Sequence, residues 1–276
     1  MALTAQQAQR VLDIQTRASA ATQALEDAAA IELARTIEFE LSEIERLVAE
    51  GVIRNVDQAL AAFELAVDAI SARGADLMTA LQSDMLDLSL GATADSVRQF
   101  GVVSARSLAV ASRSVAADFY DYLISEGHAN WYAQLSDALR EPVRQAVLDM
   151  TVRPLTAGEA AQRLADATDM SISRARGIVR TESTRADTAI SVSFADAAGM
   201  NRFINIGVGD TRQSGICRFA SMQDAMTIEK WNALRFEGER VGPPPRHVRR
   251  CRCKFMPVPE PFQPSDALLE EAGVIA

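Results

Sequence analysis

The first fifty residues contain neither glycine nor proline, so nothing in them obliges a helix to end before Gly51. Residues 55–70 carry a second helical pattern, which Asn55 can begin by capping. Both segments have apolar side chains at steps of three and four residues, a spacing that puts them on one face of a helix. The sequence therefore predicts two long amphipathic helices joined into an antiparallel hairpin. The stripe of the first helix comprises Leu33, Ile37, Leu41, Ile44 and Val48.

Further helix is predicted in the middle of the chain, where glycines mark the candidate breaks. Aromatic residues make up only 5% of the chain, and much of its apolar content is alanine. This composition favours helices that pack closely. The predicted helices cover residues 75–89, 94–125 and 129–150, with breaks at Gly91, Gly101 and Gly127.

The pattern changes after residue 150. Ser171 is predicted to cap a long helix that ends at Gly199 in the left-handed conformation. β-structure is predicted only beyond this helix, in residues 202–208 and 252–258. The expected fold is mainly α with a small α+β C-terminal domain, in which a long N-terminal helical hairpin or bundle is followed by helices packed on a short antiparallel sheet.

Charge also divides the chain near residue 150. Residues 1–150 carry 11 arginines, no lysine and 22 acidic residues, which is a net charge of −11. The rest of the chain carries 17 basic and 15 acidic residues, a net charge of +2. An acidic surface repels nucleic acid. We therefore predict that residues 1–150 form an acidic helical domain, and that its apolar stripes dock on a protein partner. An α+β domain is predicted at 151–258, and a proline-rich tail with a short helix at 259–276.

The sequence contains no N-terminal apolar segment of the signal-peptide type and no run of about 18 apolar residues that could span a membrane. We therefore expect synthesis and folding in the cytosol, with no membrane partner. Three cysteines in a cytosolic chain argue against a disulfide framework.

Four soft ligands, Cys217, His247, Cys251 and Cys253, lie within 37 residues, and tetrahedral zinc requires four such ligands. Cys251 and Cys253 are separated by one residue, so on a regular strand they would point to opposite faces. Both can bind one ion only where a bend or bulge brings them together. The alternatives are a disulfide from Cys217 to Cys251 or Cys253, and reduced thiols packed in the core.

Around these cysteines the chain is densely basic. A run of this kind can contact phosphate, or it can be a charged strand or loop in solvent. The residues predicted to contact DNA are Arg246, Arg249, Arg250, Arg252 and Lys254.

Arg180, Glu182, Asp210 and Arg212 are interpreted as structural ion pairs that join the long helix to the strand region. Glu182 and Arg185 are three residues apart and face each other on a helix. An active site that uses Arg180 and Glu182, such as an ADP-ribosyl transfer site, is the alternative. No G-x-S-x-G, P-loop or H-E-x-x-H pattern occurs, so no catalytic residue is assigned and the chain is predicted not to be an enzyme.

The motifs of the C-terminal half occur in a specific order. Arg180-Thr181-Glu182 lies on the predicted helix, Asp210-Thr211-Arg212 precedes Cys217, and Pro244-Pro245-Arg246-His247 leads to Cys251-Arg252-Cys253. This order resembles the head-morphogenesis domain of tailed phages, the Mu F-like family. Its pattern is a helix with R-T-E, a D-x-R turn often followed by cysteine, then PP-x-H and C-R-C.

The resemblance covers about residues 150–258. In the family a C-x-x-C pair often follows D-x-R, whereas here Ser214 stands at the position of its first cysteine. Three residues, rather than the two typical of the family, separate His247 from Cys251.

This resemblance implies a minor capsid or head-morphogenesis protein of a tailed phage, prophage or gene-transfer particle. Such a protein associates with the portal protein and with other capsid or scaffold proteins, and it assists head assembly, DNA packaging or delivery. It is expected in the host cytoplasm during assembly and then inside the virion near the portal vertex, where the basic run could face packaged DNA. The alternatives are a particle-delivered toxin or nuclease in the C-terminal half, using Arg180, Glu182, Asp210 and His247, and a zinc-dependent DNA-binding module.

Overall fold

The computed structural model describes residues 4–53, 56–152, 157–207, 213–245, 251 and 253–260. Most of this part of the chain is helical, and a small antiparallel sheet lies near its C-terminal end. The expected fold class is therefore confirmed. None of the helices in the described residues combines the length and the apolar character needed to span a membrane. The helices are α1 (Ala5–Ala49), α2 (Val56–Arg98), α3 (Ala105–Tyr122), α4 (His128–Val152), α5 (Ala157–Ala197), α6 (Gly215–Ser221) and α7 (Ile228–Ala233), and a π-helical turn, Leu123–Gly127, precedes α4.

Two of the long helices end where the sequence predicts. Gly51 follows α1 with a φ of 69°, and Gly199 follows α5 with a φ of 71°. At the end of α5, the Met200 amide donates to the Ala195 carbonyl at 2.7 Å and the Gly199 amide donates to the Asp196 carbonyl at 3.0 Å. This pair of bonds satisfies carbonyls that the helix leaves open, and it requires the left-handed residue that glycine supplies.

Three predicted helix boundaries are wrong. α2 continues through Gly91, and the chain stays helical through Gly127 into α4. α5 also runs through Ser171, whose hydroxyl donates to the Ala167 carbonyl at 2.8 Å. A serine that bonds back to the preceding turn is an interior residue rather than a cap. Gly91 itself is exposed, but Leu90 and Ala94 on either side of it are buried, and their packing favours a continuous helix over the local preference of glycine.

The sheet has three antiparallel strands in the order β2 (Met226–Thr227), β1 (Arg202–Ile206), β5 (Lys254–Val258). In the register of β1 and β5, Arg202 lies opposite Val258 and Ile206 lies opposite Lys254. The two strands are those predicted from the sequence, although each is shorter than expected. A separate hairpin is formed by β3 (Arg235–Phe236) and β4 (Glu239–Arg240).

The chain divides into two compact units that alternate along the sequence. The sheet unit contains the described residues of Met1–Leu25, Gln82–Tyr122 and Arg180–Ala276. The helical unit contains those of Glu26–Leu81 and Leu123–Val179. The domain boundary predicted near residue 150 lies inside α4, and both units take segments from either side of it.

Both faces of the three-stranded sheet are covered. On one face Phe203 and Phe255 stack with ring centroids 4.7 Å apart, and Trp231 meets Phe255 edge-on at 5.5 Å. On the other face Ile204 and Met256 pack in a cluster that also contains Ala8 and Val11 of α1 and Phe100, which lies just after α2. Because the sheet has helical residues on both sides, β5 is buried along four of its five positions.

The helical unit has the apolar stripes that the sequence predicts. Leu33, Ile37, Leu41 and Ile44 of α1 are buried, whereas Val48 in its last turn is 48% exposed. Three helices approach one another closely at Gly74 of α2, where an added Cβ would overlap the Leu135 side chain of α4 and lie 3.1 Å from Leu33 of α1. A small residue there allows the three helices to pack together.

Candidate metal centre

The cysteine cluster begins with Cys217, which lies in the first turn of α6. Ser214 caps this helix, and its hydroxyl accepts a hydrogen bond from the Cys217 amide at 3.3 Å. The thiol points into the apolar core of the sheet unit, where Cys217 is 4% exposed. The cap therefore stabilises the turn that positions this sulfur.

Cys251 and Cys253 lie just before β5, which begins at Lys254. Because they precede the strand, the alternation of a regular strand does not separate their side chains. Both are buried, and the three sulfur atoms of Cys217, Cys251 and Cys253 all lie within 4.8 Å of one another. The sulfurs of Cys217 and Cys251 are 3.9 Å apart, and all three cysteines are free thiols.

The packing of the three thiols raises the pKa of two of them, Cys217 and Cys253. The hydrogen bond to Cys251 raises the pKa of Cys217, a bond to Cys253 opposes that shift, and burial adds to the increase. Hydrogen bonds with Cys217 and Cys251, together with burial, raise the pKa of Cys253 well above its ordinary range. Reactive cysteines instead need a lowered pKa that favours the thiolate. The raised pKa values of Cys217 and Cys253 therefore do not favour a nucleophilic role for either thiol.

Helix α5 is joined to the cysteine segment by buried polar contacts. The Thr184 hydroxyl lies 3.0 Å from the Cys251 carbonyl, to which it can donate. One helical turn later, Asp187 accepts from the Ser89 hydroxyl at 2.6 Å and pairs with the Lys254 ammonium at 2.9 Å. The side chains of Lys254 and Asp187 are only 13% and 8% exposed. A buried charge pair with one further hydrogen bond is a strong constraint on how these segments pack.

Of the four residues predicted to form ion pairs, the structure describes Arg180 and Glu182. Glu182 pairs with Arg185, with nitrogen–oxygen distances of 2.5 and 2.6 Å, as their spacing on the helix indicates. Burial raises the pKa of the Glu182 carboxyl, and the Arg185 guanidinium opposes that shift. Arg180 is half-buried two residues earlier. Asp210 and Arg212 lie outside the described residues.

Four of the five residues predicted to contact DNA also lie outside the described part of the chain: Arg246, Arg249, Arg250 and Arg252. The predicted zinc ligand His247 lies outside it as well. Lys254 is described, and its ammonium faces Asp187 rather than solvent. A cation held in a buried pair is not free to bind phosphate, so this placement does not favour the predicted DNA contact for Lys254.

Sequence reasoning missed the polar face of α5 that carries these contacts. Arg180, Thr184, Asp187 and Ser191 recur at steps of four, three and four residues, the same spacing that identifies an apolar stripe. Thr184, Asp187 and Ser191 are buried. A polar stripe normally indicates a solvent-facing side. Here Asp187 is buried against Ser89 and Lys254, and Thr184 against the Cys251 carbonyl, and all three partners are remote in sequence.

No protein-family model matches this chain, and neither a curated protein nor a solved structure matches it.

Proposed function

We propose that this chain is a minor capsid or head-morphogenesis protein of a tailed phage, prophage or gene-transfer particle. It associates with the portal vertex and assists head assembly, DNA packaging or delivery. The proposal rests first on the ordered motifs that resemble the Mu F-like family, R-T-E, D-x-R, PP-x-H and C-R-C.

One structural observation carries the proposal further. Thr184, two residues after the R-T-E motif, contacts Cys251, the first residue of C-R-C, although the two are 67 residues apart. The next turn of the same helix holds Lys254 through Asp187. Segments that carry two of the family-like motifs therefore pack together through buried contacts. Among the described groups of these segments, Glu182 pairs with Arg185 and Asp187 pairs with Lys254, which supports a structural role over a reactive one.

The helical unit offers the surface for a protein partner. Phe39 of α1 is 62% exposed and Leu65 of α2 is 72% exposed, in a part of the chain with a strongly acidic composition. Exposed apolar surface rimmed by polar residues marks protein contact sites, so we take these two side chains as candidate contact residues. We assign the contacts with the portal protein and with other capsid or scaffold proteins to this unit. The basic run around Cys251 is the segment that could face packaged DNA.

The assembly role can be tested in the host that encodes the chain. Heads purified after particle production should contain the protein at low copy number, and deleting its gene should reduce the yield of DNA-filled heads. Phe39→Glu and Leu65→Glu should lower incorporation into heads, whereas the exposed control Glu38→Gln should not. Heads that lack the protein, together with an unchanged yield after deletion, would overturn the proposal.

A further inference from the structure

We infer that Cys217, Cys251 and Cys253 form a three-thiolate site for a divalent thiophilic ion, with zinc as the cation whose chemistry fits best. The inference stands on the placement of three sulfurs and does not depend on the proposed assembly function.

The distances between the sulfurs support a metal site. Zinc–thiolate bonds are about 2.3 Å long, so two sulfurs on one tetrahedral ion are about 3.8 Å apart. The sulfurs of Cys217 and Cys251 are 3.9 Å apart, and Cys253 completes a set within 4.8 Å. A disulfide requires sulfurs about 2.05 Å apart, much closer than these.

The donor set selects the class of ion. Thiolates are soft ligands that favour zinc and other thiophilic metals, whereas magnesium and calcium prefer oxygen. Binding one zinc ion would replace the three thiol protons, which pass to solvent, and the three thiolates with Zn²⁺ carry a net charge of −1. In the sequence Arg249, Arg250 and Arg252 lie within two residues of Cys251, so the segment that carries two of the ligands has an excess of positive charge.

An ion bound by the three cysteines would link helix α6 to the start of strand β5. Cys217 is held by α6, and the other two ligands lie 34 and 36 residues later, just before β5. The intervening described elements are short, because α7 has six residues and β2, β3 and β4 have two each. A metal that ties α6 to the start of β5 would stabilise this region, since binding to the folded state contributes folding free energy. The prediction that His247 supplies the fourth ligand stays a prediction from the sequence.

The experiment measures metal and thiol protection on the full chain. Protein purified without added metal or chelator should contain about one zinc per chain by elemental analysis. All three cysteines should resist alkylation, detected by mass spectrometry, until a chelator removes the ion. Cobalt substitution should produce sulfur-to-cobalt charge-transfer absorption in the near ultraviolet.

Cys217→Ser and Cys253→Ser should each lower the zinc affinity by more than about 10- to 100-fold. That is the typical loss when a residue that only hydrogen-bonds to a metal ligand is replaced. Ser221→Ala is the matched control, because Ser221 contacts the Cys217 carbonyl without supplying a sulfur, and it should keep one zinc. Less than a tenth of an equivalent of zinc, together with alkylation that a chelator does not change, would overturn the site. That wild-type measurement decides the question even where a cysteine variant fails to fold, and it leaves the assembly proposal standing.

Discussion

At the scale of single residues, Asp187 pairs with Lys254 in a buried site and accepts a hydrogen bond from Ser89. Lys254→Met removes the cation and leaves the Asp187 carboxylate buried. Breaking a buried pair on one side costs about 3–5 kcal/mol, so we expect a loss of that size in the free energy of unfolding. Urea unfolding of the full chain measures it.

The double variant Lys254→Met, Asp187→Asn is the control. It removes both charges and keeps an amide that can accept from Ser89, so most of the lost stability should return. Equal stability of the single variant and the wild type would show that the pair contributes nothing.

Glu182 should make stability depend on pH. Burial raises its pKa in the folded chain above the ordinary value of 4.5, so the folded state holds this proton more tightly than the unfolded state does. The contribution of Glu182 to the free energy of unfolding is therefore greatest below pH 4.5 and falls as pH rises through the raised folded pKa. Glu182→Gln imitates the protonated form, so its stability relative to the wild type should be greater at pH 7 than at pH 4.5. Parallel pH curves for the two proteins would contradict this prediction.

At the scale of elements, the approach of α1, α2 and α4 depends on the missing side chain of Gly74. Gly74→Ala gains about 1 kcal/mol of helix propensity but places a methyl group where it overlaps the Leu135 side chain. Overpacking of a core typically costs about 1–3 kcal/mol, so we expect a net loss of stability in chemical unfolding. A second change, Leu135→Val, makes room and should return part of the loss.

Gly91 is the matched control for Gly74, because both lie inside α2. An added Cβ at Gly91 meets nothing within 4 Å, and the residue is exposed. Gly91→Ala should therefore gain up to about 1 kcal/mol from helix propensity alone. If both glycine variants were stabilised equally, the helices could not be packed as closely as the structure has them.

At the scale of the whole molecule, the two units alternate along the chain, so a cut near residue 150 divides both of them. Leu86, Leu90 and Leu108 share one core with Phe194 and Trp231, which lie beyond the cut. A fragment of residues 1–150 therefore loses much of the surface that covers its apolar residues. We expect it to bind hydrophobic dyes, to aggregate and to unfold without a sharp transition.

Co-expression with residues 151–276 should restore a compact species on size-exclusion chromatography. A monomeric 1–150 fragment with a sharp, cooperative thermal transition would contradict the division into alternating units. Circular dichroism in the near ultraviolet distinguishes the two outcomes, because it reports fixed tertiary packing.

Local sequence determined the helical character, the apolar stripe from Leu33 to Ile44, the ends at Gly51 and Gly199, and the positions of β1 and β5. Each of these follows from residues within one or two turns of one another, through side-chain periodicity or through the left-handed conformation that glycine allows. The pairing of Glu182 with Arg185 is local in the same sense.

Only the tertiary structure decided the rest. The helix through Gly91 and Ser171 is maintained against local preference, and the placing of Cys217 beside Cys251 and Cys253 depends on where α6 packs against the approach to β5. The burial of Asp187 likewise requires Lys254, 67 residues away. Contacts of this kind arise from the packing of distant segments, whose free energy no short window of sequence contains.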